Sequence, residues 1–153
     1  MRRDKAIKFM KLARYMAELF SKDPSRKVAT ILVKPETLQL LSVGYNGMAR
    51  NVDELPPERW MRPAKYAWVS HSELNAICNA ASNGTNINNA IAIVTLFPCC
   101  CCARSLIQSG IKYVVTFEPD FGDPIWGEEF RISQTMMSES GVEIMLITEK
   151  DLA

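Results

Sequence analysis

The sequence has one histidine in 153 residues, almost no net charge and no long apolar run. A single imidazole excludes metal centres that need two or more histidines, so a zinc site would have to combine His71 with cysteines. No apolar stretch approaches the roughly 18 to 20 residues of a membrane-spanning helix. Eighteen basic residues against seventeen acidic ones leave a formal charge of +1. The chain therefore lacks the basic field of a duplex-binding protein, and we expect neither a nucleic-acid nor a membrane partner.

The five cysteines do not suit a disulfide framework. Four of them are consecutive, at 99–102, adjacent cysteines bridge poorly, and the total is odd. Reduced thiols suit the cytoplasm, and the basic segment 1–8 continues into a helical pattern without the apolar core of a signal peptide. Since 48% of the residues are hydrophobic, one full core can form. We therefore expect a cytoplasmic protein with a single domain over residues 1–153.

Hydrophobic periodicity predicts an α/β protein with the element order α-β-β-α-β-α-β-α-β. The predicted helices cover residues 4–20, 70–81, 99–109 and 128–138, and the predicted strands cover 28–33, 38–43, 91–97, 111–117 and 142–147. A turn at 34–37 makes the first two strands an antiparallel hairpin. Alternation of helices and strands after residue 70 predicts three parallel strands in a mixed sheet with helices on both faces. Residues 48–69 contain three prolines and show no clear period, which predicts a long functional loop.

Two motifs carry the candidate metal ligands: His-Ser-Glu at 71–73 and Pro-Cys-Cys-Cys-Cys at 98–102. Catalytic zinc usually has three protein ligands and one water, and His71, Cys99 and Cys102 supply three. Cys99 and Cys102 form the C-x-x-C pair of the cysteine run, and the start of a helix favours their thiolate forms. Glu73 is then a carboxylate that need not bind the metal.

His71 and Glu73 are two positions apart, which is roughly 200° around a helix, so they can share a site only at a helix start. Ser70 is the predicted N-cap of that helix and places His71 in its first turn. We therefore predict that two helix N-termini converge on one zinc ion, and the lone histidine allows one zinc per subunit.

Other interpretations remain open for each motif alone. Glu73 could complete a capping box with Ser70, and the C-x-x-C pair could be a redox pair or half of a structural site. A non-enzymatic zinc module would need a fourth protein ligand from Glu73, Cys100 or Cys101. The conjunction of both motifs, with a buried strand before the cysteines, favours the catalytic site. The remaining thiols, Cys78 included, are predicted to be core or helix-surface groups.

Such a site favours hydrolytic deamination. Zinc lowers the pKa of its bound water from ~9 towards ~7, so zinc-bound hydroxide exists at neutral pH. Glu73 can take the water proton, pass it to a ring nitrogen and assist the loss of ammonia, which is general acid and base catalysis. The H-x-E and P-C-x-x-C pair is the signature of zinc-dependent base deaminases.

The sequence resembles the deoxycytidylate (dCMP) deaminases of the phage and eukaryotic type over about residues 7 to 147. The matching segments are Ser21–Ser25, Gly44–Met48, His71–Ile77, Leu96–Ala103 and Ile107–Ile111. This resemblance implies a cytidine-deaminase-like three-layer α/β/α fold with a five-stranded mixed sheet, and conversion of dCMP to dUMP. It also implies a homo-oligomer, usually a hexamer, activated by dCTP and inhibited by dTTP, with Mg²⁺ accompanying the triphosphate.

The resemblance also implies roles for single residues. His71, Cys99 and Cys102 match the zinc ligands, Glu73 matches the proton shuttle, and Asn46 matches an asparagine placed against the nucleotide sugar. The candidate effector-binding segment is Gly44, Tyr45, Asn46 and Gly47. Ser72 replaces the usual alanine between the histidine and the glutamate, a small change that leaves the site intact, whereas Ala29 and Ala49 depart from the pattern around the effector segment.

The remaining substrate-binding candidates come from their positions in the predicted fold. Lys22 and Arg26 are predicted to flank the same rim of the site as Asn46, and they are candidates for holding a phosphate. Phe117, Pro119 and Asp120 follow a buried strand at the carboxyl edge of the sheet, where ligands collect in α/β proteins. Deaminases of the same motif that act on tRNA adenosine, guanine or a riboflavin precursor stay open as alternatives, although the near-neutral charge disfavours RNA.

Overall fold

The computed structural model describes all 153 residues. The helices are α1 (Arg3–Phe20), α2 (Lys65–Trp68), α3 (Ser72–Ser82), α4 (Cys100–Gln108) and α5 (Gly127–Glu139). The strands are β1 (Ala29–Val33), β2 (Leu40–Tyr45), β3 (Gly47–Met48), β4 (Val69–Ser70), β5 (Ile91–Val94), β6 (Tyr113–Phe117) and β7 (Glu143–Ile147). Two short 3₁₀ turns lie at Pro57–Trp60 and Glu149–Leu152. No helix is long and apolar enough to cross a membrane.

Five strands form one mixed sheet in the order β2-β1-β5-β6-β7. β1 is antiparallel to both β2 and β5, whereas β5, β6 and β7 are parallel. The predicted antiparallel hairpin and the three predicted parallel strands are thus confirmed. Parallel strands place their carboxyl ends at the same edge of the sheet, from which the connections to α4 and α5 leave.

Helix α1 covers one face of the sheet. Its buried residues Ala6, Met10 and Ala13 recur at spacings of four and three and pack with strand residues such as Ile31 and Ile93. This spacing places them on one stripe of the helix. Phe20, the last residue of α1, is 50% exposed and stacks on Tyr45 with ring centroids 5.6 Å apart.

Helices α3, α4 and α5 cover the opposite face. A second core cluster joins Ala76, Leu106 and Phe130 from these helices to Leu32 and Val114 of the sheet. Since side chains alternate along a strand, Ile31 faces α1 while its neighbour Leu32 faces the other layer. The result is the three-layer α/β/α arrangement.

Several element boundaries differ from the sequence prediction, two of them for a clear structural reason. The second strand begins at Leu40 rather than at residue 38, because Leu38 adopts φ 58° within the turn. Ser70 is not the N-cap of α3, because it pairs with Gly47 in the two-stranded sheet of β3 and β4 and is therefore extended. His71 is the N-cap instead, with φ −75° and ψ 154°.

The segment 48–69 is not a structureless loop. It holds part of the β3–β4 pair, a 3₁₀ turn and the single-turn helix α2. No single element in the segment exceeds four residues. Such short elements produce no recognisable hydrophobic period, so the sequence did not predict them.

Candidate metal centre and active-site cleft

Two helix starts bring the three candidate ligands together. His71 is the N-cap of α3, Cys99 is the N-cap of α4, and Cys102 lies in the first turn of α4. The Sγ atoms of Cys99 and Cys102 each lie 3.4 Å from Nδ1 of His71. One ligand atom from each residue lies within 4.8 Å of the other two.

This donor set fits zinc. Typical Zn–S and Zn–N lengths at a tetrahedral angle separate a sulfur from a nitrogen by about 3.6 Å, close to the observed spacing. The Cys102 thiol, together with His71, lowers the pKa of Cys99 to about 4, so one sulfur is a thiolate. The pKa of Cys102 is raised by the same contact with Cys99, as expected when two close sulfurs share one negative charge without a metal. The cluster therefore has the charge and spacing of a cation site.

The cluster offers three ligands rather than four. Cys100 directs its Sγ to the carbonyl oxygen of Glu129 at 3.3 Å, and Cys101 and Cys78 are exposed. A closed structural zinc site normally has four protein ligands. The geometry therefore leaves one coordination position for another molecule.

Glu73 lies in the first turn of α3 and is 4% exposed. Burial raises the pKa of its carboxyl above the ordinary value of a glutamate. The Oγ of Ser72 lies 3.2 Å from Oε2 of Glu73 and 2.7 Å from Oγ1 of Thr30, so two buried hydroxyls orient the carboxylate. Ser70 lies in β4 and His71 is the N-cap of α3, so the alternative of a capping box with Ser70 is not realised.

A cleft opens above these groups. His71 and Glu73 lie on its wall together with two residues that the sequence singled out, Asn46 and Arg26. The cleft also has a basic and aromatic side that the sequence did not single out, formed by Arg62, Lys65, Tyr66 and Trp126. Three of these four lie in the segment 48–69, where the only sequence signal was the length of the predicted functional loop.

The basic side chains of the cleft differ in how closely an acidic group pairs with them. Lys65 is neutralised by Asp23, with Nζ 2.6 Å from Oδ2. Arg26 reaches the carboxylate of Asp123 only at 3.9 Å, and the guanidinium of Arg62 lies 5.9 Å from the ring centroid of Tyr66. Two arginines are therefore the groups of the cleft most available to an anion.

The Asn46 side chain is fully hydrogen-bonded within the protein. Its Nδ2 donates to Oδ2 of Asp23 and to the carbonyl oxygen of Arg26, both at 2.9 Å. Its Oδ1 accepts from Oγ of Ser21 at 2.6 Å and from the backbone N–H of Val28 at 2.9 Å. An amide has four such positions, so a ligand that contacts Asn46 must share or replace one of these bonds.

Other candidates lie away from the cleft. The Lys22 ammonium pairs with Glu54. Phe117, Pro119 and Asp120 do not line the cleft. Phe117 packs under the guanidinium of Arg14, and Asp120 accepts a hydrogen bond from the backbone of Gly122. The carboxyl edge of β6 therefore does not bring these three residues to the metal centre.

The candidate effector segment is divided. Tyr45, Asn46 and Gly47 line a second cleft, which also contains Lys22 and Arg50. Gly44 does not line it, since it lies beneath α3. Asn46 is the one residue of the segment that reaches both clefts.

Comparisons with known proteins agree with this geometry. Residues 3–118 match the family model described as the cytidine and deoxycytidylate deaminase zinc-binding region. The chain is 36% identical over 149 residues to deoxycytidylate deaminase of Mus musculus, covering 93% of this chain and 79% of the mouse protein. It is 35% identical over 141 residues to deoxycytidylate deaminase of Homo sapiens, covering 88% of this chain and 74% of the human protein.

The fold is similar to that of dCMP deaminase from the cyanophage S-TIM5, crystallised in complex with dCMP and dUMP. The TM-score is 0.77 at 23% sequence identity, covering 96% of this chain and 99% of the phage chain. This likeness concerns the fold, and the predicted cytidine-deaminase-like architecture is confirmed.

Proposed function

Because the chain belongs to the cytidine and deoxycytidylate deaminase family, we propose that it hydrolyses dCMP to dUMP and ammonia. The observation that supports this most is the placement of a buried glutamate beside a His-Cys-Cys cluster, in a cleft that also contains two arginines, of which Arg26 reaches the Asp123 carboxylate only at 3.9 Å. The cluster suits the deamination chemistry, and the arginines suit the 5′-phosphate of a nucleotide.

His71, Cys99 and Cys102 would hold zinc, which when bound acts as a Lewis acid on water. Glu73 accepts a proton from the attacking water and delivers it to N3 of the cytosine ring while the water oxygen bonds to C4. The C4–N4 bond then breaks, and the amine leaves as ammonia with a proton that Glu73 again transfers. The products, dUMP and ammonia, account for every atom of dCMP and one water. Ser72, whose hydroxyl is itself hydrogen-bonded to Thr30, would hold the Glu73 carboxylate in place for these steps.

Arg26 and Arg62 would bind the 5′-phosphate. Charge-assisted contacts between guanidinium and phosphate are among the strongest hydrogen bonds in proteins. The sequence analysis already named Arg26 as a candidate for holding a phosphate. Arg62 is added here because it lines the same cleft. In this proposal Lys22, which lies in the second cleft, does not contact dCMP.

The test compares Glu73→Gln with the wild-type zinc protein, with Glu139→Gln as a matched control at an exposed position. We expect Glu73→Gln to bind zinc and fold normally but to lose dCMP turnover by about 10² to 10⁴-fold. Normal turnover in that variant would remove Glu73 from the mechanism. Deoxycytidine and guanine serve as alternative substrates. Turnover of either as fast as dCMP would refute the claim that the substrate must carry a 5′-phosphate.

The second cleft is the proposed site of regulation. We propose that it binds dCTP, with Mg²⁺, as an activator and dTTP as an inhibitor in a homohexamer. Its basic residues Lys22 and Arg50 and the segment 45–47 support this assignment. Steady-state rates on dCMP with each triphosphate, together with the sedimentation mass, test it. Hyperbolic rates that neither triphosphate changes would refute it.

Five free cysteines also support our proposal of a cytoplasmic location.

A further inference from the structure

The buried ion pair between Lys65 and Asp23 is the one charged group of the main cleft that the proposed reaction does not use. Nζ of Lys65 lies 2.8 Å from Oδ1 and 2.6 Å from Oδ2 of Asp23, and 2.5 Å from Oγ of Ser25. Lys65 is 9% exposed and Asp23 is 1% exposed. Burying two charges is costly unless both are paired and hydrogen-bonded, so we ask what this pair holds in place.

Lys65 belongs to a rim segment, residues 57–68, that has little structure of its own. The segment contains one 3₁₀ turn and the four-residue helix α2, and a helix of that length is not stable in isolation. Its backbone hydrogen bonds, such as Lys65 N–H to Met61 O at 2.8 Å, are local. The side chains of Arg59 and Trp60 donate to residues 53 and 54 of the same loop.

Lys65 is the polar attachment of this rim segment to the body of the protein. The hydrogen bonds that join residues 57–68 to residues outside 48–70 all come from Nζ of Lys65. An apolar contact also joins the segment to the body, the edge contact between Tyr66 and Trp126 with ring centroids 6.0 Å apart. Arg62 lies three positions before Lys65, in the turn that precedes α2, and lines the same cleft.

Asp23, the partner of Lys65, is hydrogen-bonded to the backbone next to Arg26. Oδ1 of Asp23 accepts from the backbone N–H of Ser25 at 2.9 Å and of Arg26 at 3.2 Å, and Oδ2 accepts from Asn46. Asp23 thus holds the backbone that carries Arg26, while Lys65 holds the segment that carries Arg62. One ion pair connects the supports of both arginines.

We infer that Lys65 and Asp23 form a clamp that sets the position of Arg62 relative to Arg26, and thereby the selectivity of the cleft for a ligand with a phosphate. Lys65 is a positioning residue in this scheme, since its ammonium is occupied by Asp23 and Ser25. The identity of the ligand rests on the proposed function, whereas the attachment of the rim segment does not.

The test uses the zinc-loaded variants Lys65→Met and Lys65→Gln, with Lys8→Met as the control for loss of an exposed lysine. Lys65→Gln keeps a hydrogen-bond donor without the charge and carries the test if Lys65→Met does not fold. Lys65→Arg, which keeps a cation, is expected to recover part of the effect. Amide hydrogen exchange of residues 57–68 is measured first, because it needs no ligand.

We expect exchange in the rim segment to become faster in the two uncharged variants and to stay unchanged in Lys8→Met. Affinity for dUMP should fall about 10-fold, as expected when a binding group shifts by a fraction of an ångström, while affinity for deoxyuridine stays the same. In an Arg62→Ala background, which itself weakens dUMP binding roughly 10- to 100-fold, loss of Lys65 should add little.

Unchanged exchange in the rim segment would overturn the clamp, and so would equal weakening of dUMP and deoxyuridine. A full additional 10-fold loss in the Arg62→Ala background would also overturn it, because Lys65 would then act independently of Arg62. Failure of the wild-type protein to turn over dCMP would refute the proposed function, and the exchange measurement would still decide whether the clamp exists.

Discussion

Replacement of Gly44 by alanine should damage the metal centre from a distance. A Cβ at this position would lie 2.3 Å from the backbone nitrogen of Ala76 and 2.3 Å from the carbonyl oxygen of Ser72. Both atoms belong to α3, which packs directly on β2 at this point. Ordinary carbon contacts begin near 3.5 Å, so α3 and β2 must separate by about 1 Å.

The cost of that separation can be worked from the interface. Overpacking typically destabilises a protein by about 1 to 3 kcal/mol. Two half-buried hydrogen bonds also cross the interface, from Asn79 to the Val43 carbonyl and from Ser42 to the Ala76 carbonyl, both at 2.7 Å. A third, exposed hydrogen bond joins Asn75 to the Tyr45 carbonyl at 2.8 Å. Each half-buried bond contributes about 1 kcal/mol. Together with the overpacking cost, we expect a total loss of about 3 to 5 kcal/mol in the free energy of unfolding.

Activity should fall as well, because α3 carries His71 at its N-cap and Glu73 in its first turn. Metal–ligand distances tolerate about 0.2 Å, and a displacement near 1 Å can lower a rate about 10²-fold. The assay combines urea denaturation, bound zinc per subunit and dCMP turnover for Gly44→Ala. Gly47→Ala is the control for folding and zinc content, since a Cβ at Gly47 meets nothing within 4 Å. A Gly44→Ala protein with full zinc and a free energy of unfolding within about 0.5 kcal/mol of wild type would refute the steric argument.

Three further predictions concern charge and metal. Hydrogen bonds from the Thr148 backbone and from Arg3 lower the pKa of Asp151 from 3.8 to about 2; its stabilising effect should be complete above pH ~4 and disappear as the pH falls through ~2. Urea midpoints of wild type and Asp151→Asn should therefore differ most at pH 6 and converge near pH 2, and a constant difference would contradict this assignment. Cys102→Ala should weaken zinc binding at least ~100-fold, whereas Cys101→Ala, which alters an exposed thiol, should retain zinc by metal analysis. Chelation of zinc present at ~1,000 times its Kd should remove about 4 kcal/mol of stability and lower Tm by roughly 10 °C, and an unshifted calorimetric melt would show that no tightly bound metal stabilises the fold.

Much of the architecture could be predicted because it depends on local patterns. The order of helices and strands follows from periodicities of 3.6 and 2 residues, and the parallel strands follow from their alternation with helices. The candidate metal cluster was also readable, because a chain with one histidine and one C-x-x-C pair offers few combinations. Boundaries failed where long-range pairing decided them. Ser70 has the chemistry of an N-cap, but its pairing with Gly47 commits it to a strand.

The sequence by itself determined the candidate chemistry, since His71, Glu73 and the two cysteines lie at the starts of helices that local rules predict. Only the tertiary structure decided the shape and charge of the cleft around them. Lys65 carries no local signal, and its role depends on Asp23, which is 42 positions away in the chain. Gly44 likewise shows its function only where α3 crosses β2. Such contacts depend on how whole helices and strands pack against each other. A local sequence pattern contains no information about which distant residue will be the partner.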